Sequence, residues 1–147
     1  MKNNKYLKEL GFEWYDLPGN YQKKLEYNKW LGDRPAADCR NKEDKEGFCE
    51  YEFFSLDNTL NLFIYSKLCY FREYIADIAT PGCFITNLGQ QTEESREKDS
   101  QLWKKVLDEM IEGFKLALVG DVSDSEVRYK ITHARRLLAE YWDCLWF

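Results

Sequence analysis

A run of apolar residues spaced three and four apart, opening behind Phe54-Ser55 and lasting from Leu56 to about Ile78, constrains this chain most. Leu60, Ile64, Leu68, Phe71, Ile75 and Ile78 recur with the helical period. Phe63, Tyr70 and Tyr74 widen the stripe, which predicts burial against more than one neighbour. Ser55 suits an N-cap, and Asp57 in the first turn complements the positive helix end. Thr80-Pro81-Gly82 stops the run, because proline disfavours helical geometry in the residue before it.

Two more amphipathic segments follow. Trp103, Leu107, Met110, Phe114 and Ala117 form a seam on a helix over about 100–118, closed by Gly120-Asp121. Ser123 and Glu126 then have capping-box spacing, and Val127, Ile131, Ala134, Leu138, Tyr141 and Leu145 share one stripe of a helix over about 123–146. So short a connection predicts an antiparallel hairpin. Cys49 to Phe54 alternates briefly but is too isolated to build a sheet. The expectation is an all-α fold: a small helical bundle of three main helices at about 55–79, 100–118 and 123–146, with a loop over about 82–98.

The N-terminal part is less regular. Tyr6, Leu7 and Leu10 fit one side of a short helix that stops at Gly11, and Pro18-Gly19-Asn20 marks a turn. Tyr21 to Leu31 fits a second short helix, and residues 33–47 read as an exposed loop. At 147 residues the chain suits a single domain, 1–147, with 1–52 as the irregular segment and 53–147 as the helical core.

A net charge of −5 leaves no electrostatic footprint for nucleic-acid binding. No apolar stretch approaches the length of a membrane span, and no signal-peptide-like run follows Met1 to Tyr6. Five widely spaced cysteines (Cys39, Cys49, Cys69, Cys83 and Cys144) and one histidine, His133, offer no zinc-ligand pairs, so neither metal nor cofactor is expected. Free thiols in a reducing cytoplasm are the better reading. Aromatic residues make up 16% of the chain, which is enough to serve either a dense small core or a binding surface.

Three pieces together resemble a family of small helical proteins widespread in phage and prophage genomes. Phe54-Ser55-Leu56-Asp57 with Phe63-Ile64, Leu68 and Phe71-Arg72-Glu73 is similar to that family's opening helix. Trp103, Val106-Leu107, Met110-Ile111, Phe114 and Leu116 are similar to its second helix, and Leu137-Leu138-Ala139, Tyr141 and Leu145-Trp146 to its aromatic C-terminal helix. The match covers about residues 53–79 and 100–147. Where the family often carries Gly-Tyr-Pro, this chain has Thr80-Pro81-Gly82-Cys83 and a longer loop. The resemblance implies a helical fold and a phage or prophage provenance, hence action in the host cytoplasm. It supplies no activity and no catalytic residues.

Candidate binding residues are Phe54, Asp57, Arg72, Arg135, Trp142 and Trp146. Asp57 caps a helix or, beside Phe53-Phe54, anchors a ligand amine or a partner arginine. Arg72, Arg128, Arg135 and Arg136 stand among aromatics, the chemistry a nucleotide pocket needs, or else lay their stems over an aromatic core. No phosphate-cradling glycine loop accompanies them. Trp142, Trp146 and Phe147 either pack or anchor a partner or a second copy of the chain. Glu73, Asp77, Asp108 and Glu112 invite comparison with carboxylate metal sites but lack the Glu-x-x-His pairs. Pairing of His133 with Cys69 or Cys144 has no local signature.

Aromatic excess without a catalytic constellation favours a non-enzymatic helical binding protein that engages a host or phage protein. The alternatives are a protein that sequesters a small nucleotide-like signal in counter-defence, and a nucleotide hydrolase acting through His133 or paired carboxylates.

Overall fold

Every regular element of the described chain is helical. The computed structural model describes residues 4–12, 56–85, 89 and 91–145. Among them 77% are helical and none lies in a strand, which establishes the all-α fold. The chain divides into two units, residues 1–63 and 64–147.

In unit 1–63, helix α1 (Lys5–Glu9) begins at Asn4, whose Oδ1 accepts the Leu7 N–H at 3.3 Å. It stops where the sequence predicts: Gly11 takes φ 84°, a left-handed conformation that costs glycine little, and its N–H returns to the Lys8 carbonyl. Leu7 is buried. Helix α2 (Leu56–Tyr74) starts in this unit with Asp57 in its first turn. The expected helix at Tyr21–Leu31, the Ser55 cap and Phe54 lie outside the described residues.

In unit 64–147, α2 ends at Tyr74 instead of near residue 79. The Ile75 and Ala76 N–H groups share the Phe71 carbonyl, at 2.9 and 3.3 Å, and the ladder loses register in a turn before Pro81 can act. The buried face of α2 is also rotated from the expected stripe: Leu62, Tyr65, Leu68 and Cys69 are buried, whereas Leu60 and Phe63 are exposed. Small polar side chains, Asn61 and Ser66, complete that face. A 3-10 turn, Gly82–Phe84, follows.

Helix α3 (Glu93–Val119) starts seven residues before the expected position, inside the region read as loop. Thr92 Oγ1 accepts the Ser95 N–H at 3.2 Å, Glu93 and Glu94 occupy the positive end, and Lys98 reaches Glu94 at 2.8 Å. Local polar bonds sustain these turns where apolar periodicity is absent. The helix closes at Gly120, where a Cβ would come within 2.5 Å of the Leu116 carbonyl oxygen.

Helix α4 (Ser125–Glu140) is capped by Asp124, not by Ser123. Asp124 Oδ1 accepts the Glu126 N–H at 2.7 Å, while Ser123 is held back by Asp121, which accepts from both its N–H and its hydroxyl. The helix ends six residues before the expected limit of 146. Tyr141 closes it onto the Leu137 carbonyl and a 3-10 turn, Trp142–Cys144, follows.

The expected antiparallel hairpin is present: Trp103 meets Tyr141, Glu109 meets His133, Gly113 meets Ala134, and Gly120 meets Val127. Trp103, Leu107, Met110 and Phe114 from α3 bury with Ile131, Ala134 and Leu137 from α4.

Candidate functional site

Trp103 is 0% exposed and gathers three other aromatic rings. Phe71 meets it edge-on at 6.3 Å, Phe84 lies tilted at 5.0 Å, and Tyr141 stands at 6.3 Å. Phe84 also contacts Tyr141 at 5.0 Å. The four rings tie the end of α2, the Gly82–Phe84 turn, α3 and the end of α4 into one cluster. The Trp103 indole nitrogen is buried there without a hydrogen-bond partner among the described residues, a cost of about 1–3 kcal/mol that the buried aromatic area must offset.

Beside this cluster lies a cavity of about 410 Å³, within the usual range for ligand pockets and wholly inside unit 64–147. Phe71, Ile75 and Ala79 form one apolar wall. Thr80, Pro81, Gly82 and Cys83 form the next, Trp103 sits at the base, and Asp143 and Cys144 close the rim. The proline turn that follows α2 thus becomes a pocket wall. Asp143 is the one charged side chain among the described lining residues.

The rim carries two thiols. Cys83 Sγ and Cys144 Sγ lie 2.7 Å apart. The Cys144 thiol is pushed up to about 11 by burial, by its contact with Cys83 and by nearby Asp143, so it holds its proton at neutral pH. Burial also raises the Tyr141 hydroxyl, helped by the Glu140 carboxylate.

The predicted site residues are scattered. Arg72 follows pocket-lining Phe71 but is committed to Asp108, with Nε–Oδ1 at 2.8 Å. Arg135 is exposed on α4. Trp142 is 63% exposed and directly precedes Asp143 and Cys144 of the rim. Asp57 is exposed on the first turn of α2, in the other unit. Phe54 and Trp146 lie outside the described residues. Sequence reasoning missed Ile75, Ala79 and the Cys83–Cys144 pair, and no spacing rule would have joined cysteines 61 positions apart.

Three of the four carboxylates that invite comparison with metal ligands are engaged by cations. Asp108 pairs with Arg72, Asp77 with Lys104, and Glu112 with Lys115. Lys104 holds the Asp77 carboxyl below its ordinary range. No group of three metal-ligating side chains occurs among the described residues. His133 Nε2 lies 3.0 Å from Glu109 Oε2, and its ring stacks parallel to Tyr129 at 6.0 Å. Cys144 has Cys83 as its partner instead of His133. Among the described residues, no helix is long and apolar enough to cross a membrane.

No protein family, no curated protein and no solved structure matches this chain.

Proposed function

We propose that this chain is a non-enzymatic helical binding protein, encoded by a phage or prophage and acting in the host cytoplasm. Its 64–147 unit holds a host or phage protein by receiving an apolar side chain of that partner in the pocket. The observation that carries this reading is the 410 Å³ cavity with an aromatic base and, among its described lining residues, one charged group. Exposed Ile78 and Trp142 adjoin pocket residues Ala79 and Asp143 in the chain and supply apolar area for the partner's flanks. The provenance rests on the resemblance of residues 53–79 and 100–147.

Capture of a nucleotide signal fits less well. A phosphate needs convergent cations, but Arg72 is spent on Asp108, and the charge at the rim, Asp143, repels an anion. A hydrolase fits less well again, because His133 is 38% exposed, bonded to Glu109 and absent from the pocket lining.

Selection from a displayed library of random peptides tests the reading. The wild-type chain enriches peptides that share one aromatic or aliphatic anchor. Ala79→Phe, which fills the pocket, lowers affinity for them at least tenfold while thermal unfolding is retained. Peptides without a shared anchor, or equal binding by the folded Ala79→Phe variant, would sink the proposal.

A further inference from the structure

Cys83 and Cys144 stand on the two 3-10 turns, Gly82–Phe84 and Trp142–Cys144, that face each other across the pocket rim. Their sulfurs, 2.7 Å apart, are closer than ordinary sulfur–sulfur contact and short of a bond by less than an ångström, the bonded distance being about 2.0 Å. Neither turn is free to drift. Phe84, next to Cys83, packs on both Trp103 and Tyr141 at 5.0 Å, and Tyr141 is the residue from which the second turn springs. The thiols are therefore brought together by a buried ring cluster, not by chance approach of two loose side chains. Cys83 is exposed and Cys144 half-buried, so a small reagent can reach the pair, whereas Cys69 is buried on α2.

We propose that Cys83 and Cys144 are a reversible modification site, a dithiol–disulfide couple at the pocket rim that is oxidised by exchange with a low-molecular-weight disulfide such as glutathione disulfide. The exposed Cys83 sulfur, as thiolate, attacks one sulfur of the reagent. The reagent's S–S bond breaks, and one glutathione thiolate leaves and takes up a proton. Cys144 then yields its proton to solvent, and its sulfur attacks Cys83, displacing the second glutathione thiolate, which is protonated in turn. The protein loses two electrons and two protons, and the reagent is reduced to two thiols. The half-buried position of Cys144, beside the exposed Cys83, assigns it the second, resolving step. Because both cysteines line the cavity, the new bond ties one wall to the other. This inference does not depend on the identity of any partner.

The test uses the full chain, reduced, desalted and incubated with glutathione disulfide near pH 8, where thiolate becomes appreciable. Remaining thiols are then blocked with N-ethylmaleimide, and tryptic peptides are mapped by mass spectrometry without reduction. The expected result is a joined pair of peptides bearing Cys83 and Cys144, with a rise of several degrees in Tm that dithiothreitol reverses, since the bond closes a long loop of the unfolded chain. Cys83→Ser, at an exposed position, removes both the joined peptides and the rise in Tm while the reduced fold persists; Cys144→Ser gives the same result from the other side. The proposal is overturned if both cysteines stay alkylated, if glutathione adducts persist on them unjoined, or if either bridges to Cys39, Cys49 or Cys69 instead.

Discussion

Gly113 of α3 lies so close to Ala134 of α4 that a methyl group on it would overlap the Ala134 Cβ and come within 2.7 Å of the Lys130 carbonyl oxygen. Glycine inside a helix ordinarily costs about 1 kcal/mol relative to alanine. Here that cost permits the close approach of the two helices that enclose Leu107, Met110 and Ile131.

Gly113→Ala therefore runs against helix propensity. The gain of about 1 kcal/mol in propensity is outweighed by overpacking of about 1–3 kcal/mol against backbone that cannot yield. Urea unfolding should show a lower midpoint for the variant. A midpoint equal to or above wild type would mean that α3 and α4 separate more readily than their contact suggests.

Two tryptophans should part company. Trp103→Ala removes the base of the ring cluster and should cost about 3–5 kcal/mol, enough to unfold a marginal unit. Trp142→Ala, at an exposed position, should stay within about 0.5 kcal/mol of wild type yet weaken binding of an anchored peptide at least tenfold. Circular dichroism melts and fluorescence polarisation separate the two effects.

Acid should weaken the fold through Asp77 and Asp121, whose carboxyls are depressed by Lys104 and by bonds from Ser123. A depressed folded pKa contributes stability above the unfolded value of 3.8, and that contribution fades as pH falls through the folded value. Calorimetry should find Tm flat between pH 7 and 5 on their account and falling below about pH 4. Asp77→Asn should flatten part of that fall; an unaltered acid limb would show that the Lys104 pair contributes nothing.

Alkali acts in the opposite sense on the reduced protein. The Cys144 thiol titrates at 9.0 unfolded and about 11 folded, so its contribution is complete below pH 9 and is lost as pH rises toward 11. Raised Tyr141 and Lys130 add in the same direction. The difference in alkaline Tm loss between wild type and Cys144→Ser, both in dithiothreitol, isolates the thiol. No difference would remove burial of Cys144 from the account.

The class of fold was legible because Trp103, Leu107, Met110 and Phe114 recur with a period that only a helix satisfies, and all four are buried. The first turns of α3 were not legible from apolar spacing, because residues 93–100 are almost wholly polar and are held by a Thr92 cap and a Glu94–Lys98 pair. Thr92 followed by two glutamates was the available signal. The buried face of α2 was misplaced because residues 60–71 are apolar nearly all round, so that neighbouring stripes compete and buried Asn61 and Ser66 look like solvent positions. None of the candidate binding residues lines the pocket; Arg72 and Trp142 are only chain neighbours of residues that do. A pocket assembled from Phe71, Pro81, Trp103 and Cys144 depends on tertiary packing that no local pattern encodes.

The unequal lengths of α3 and α4 set a gradient along the longer helix. With 27 residues α3 runs about 40 Å, against about 24 Å for the 16 residues of α4. Pairing of Trp103 with Tyr141 uses up α4, so the ten residues of α3 before Trp103 have no α4 beside them. Amide protons should therefore exchange with solvent deuterium fastest near Thr92 and slowest around Met110. The same rod is then a fraying tip at one end and the most protected segment of the unit at its middle.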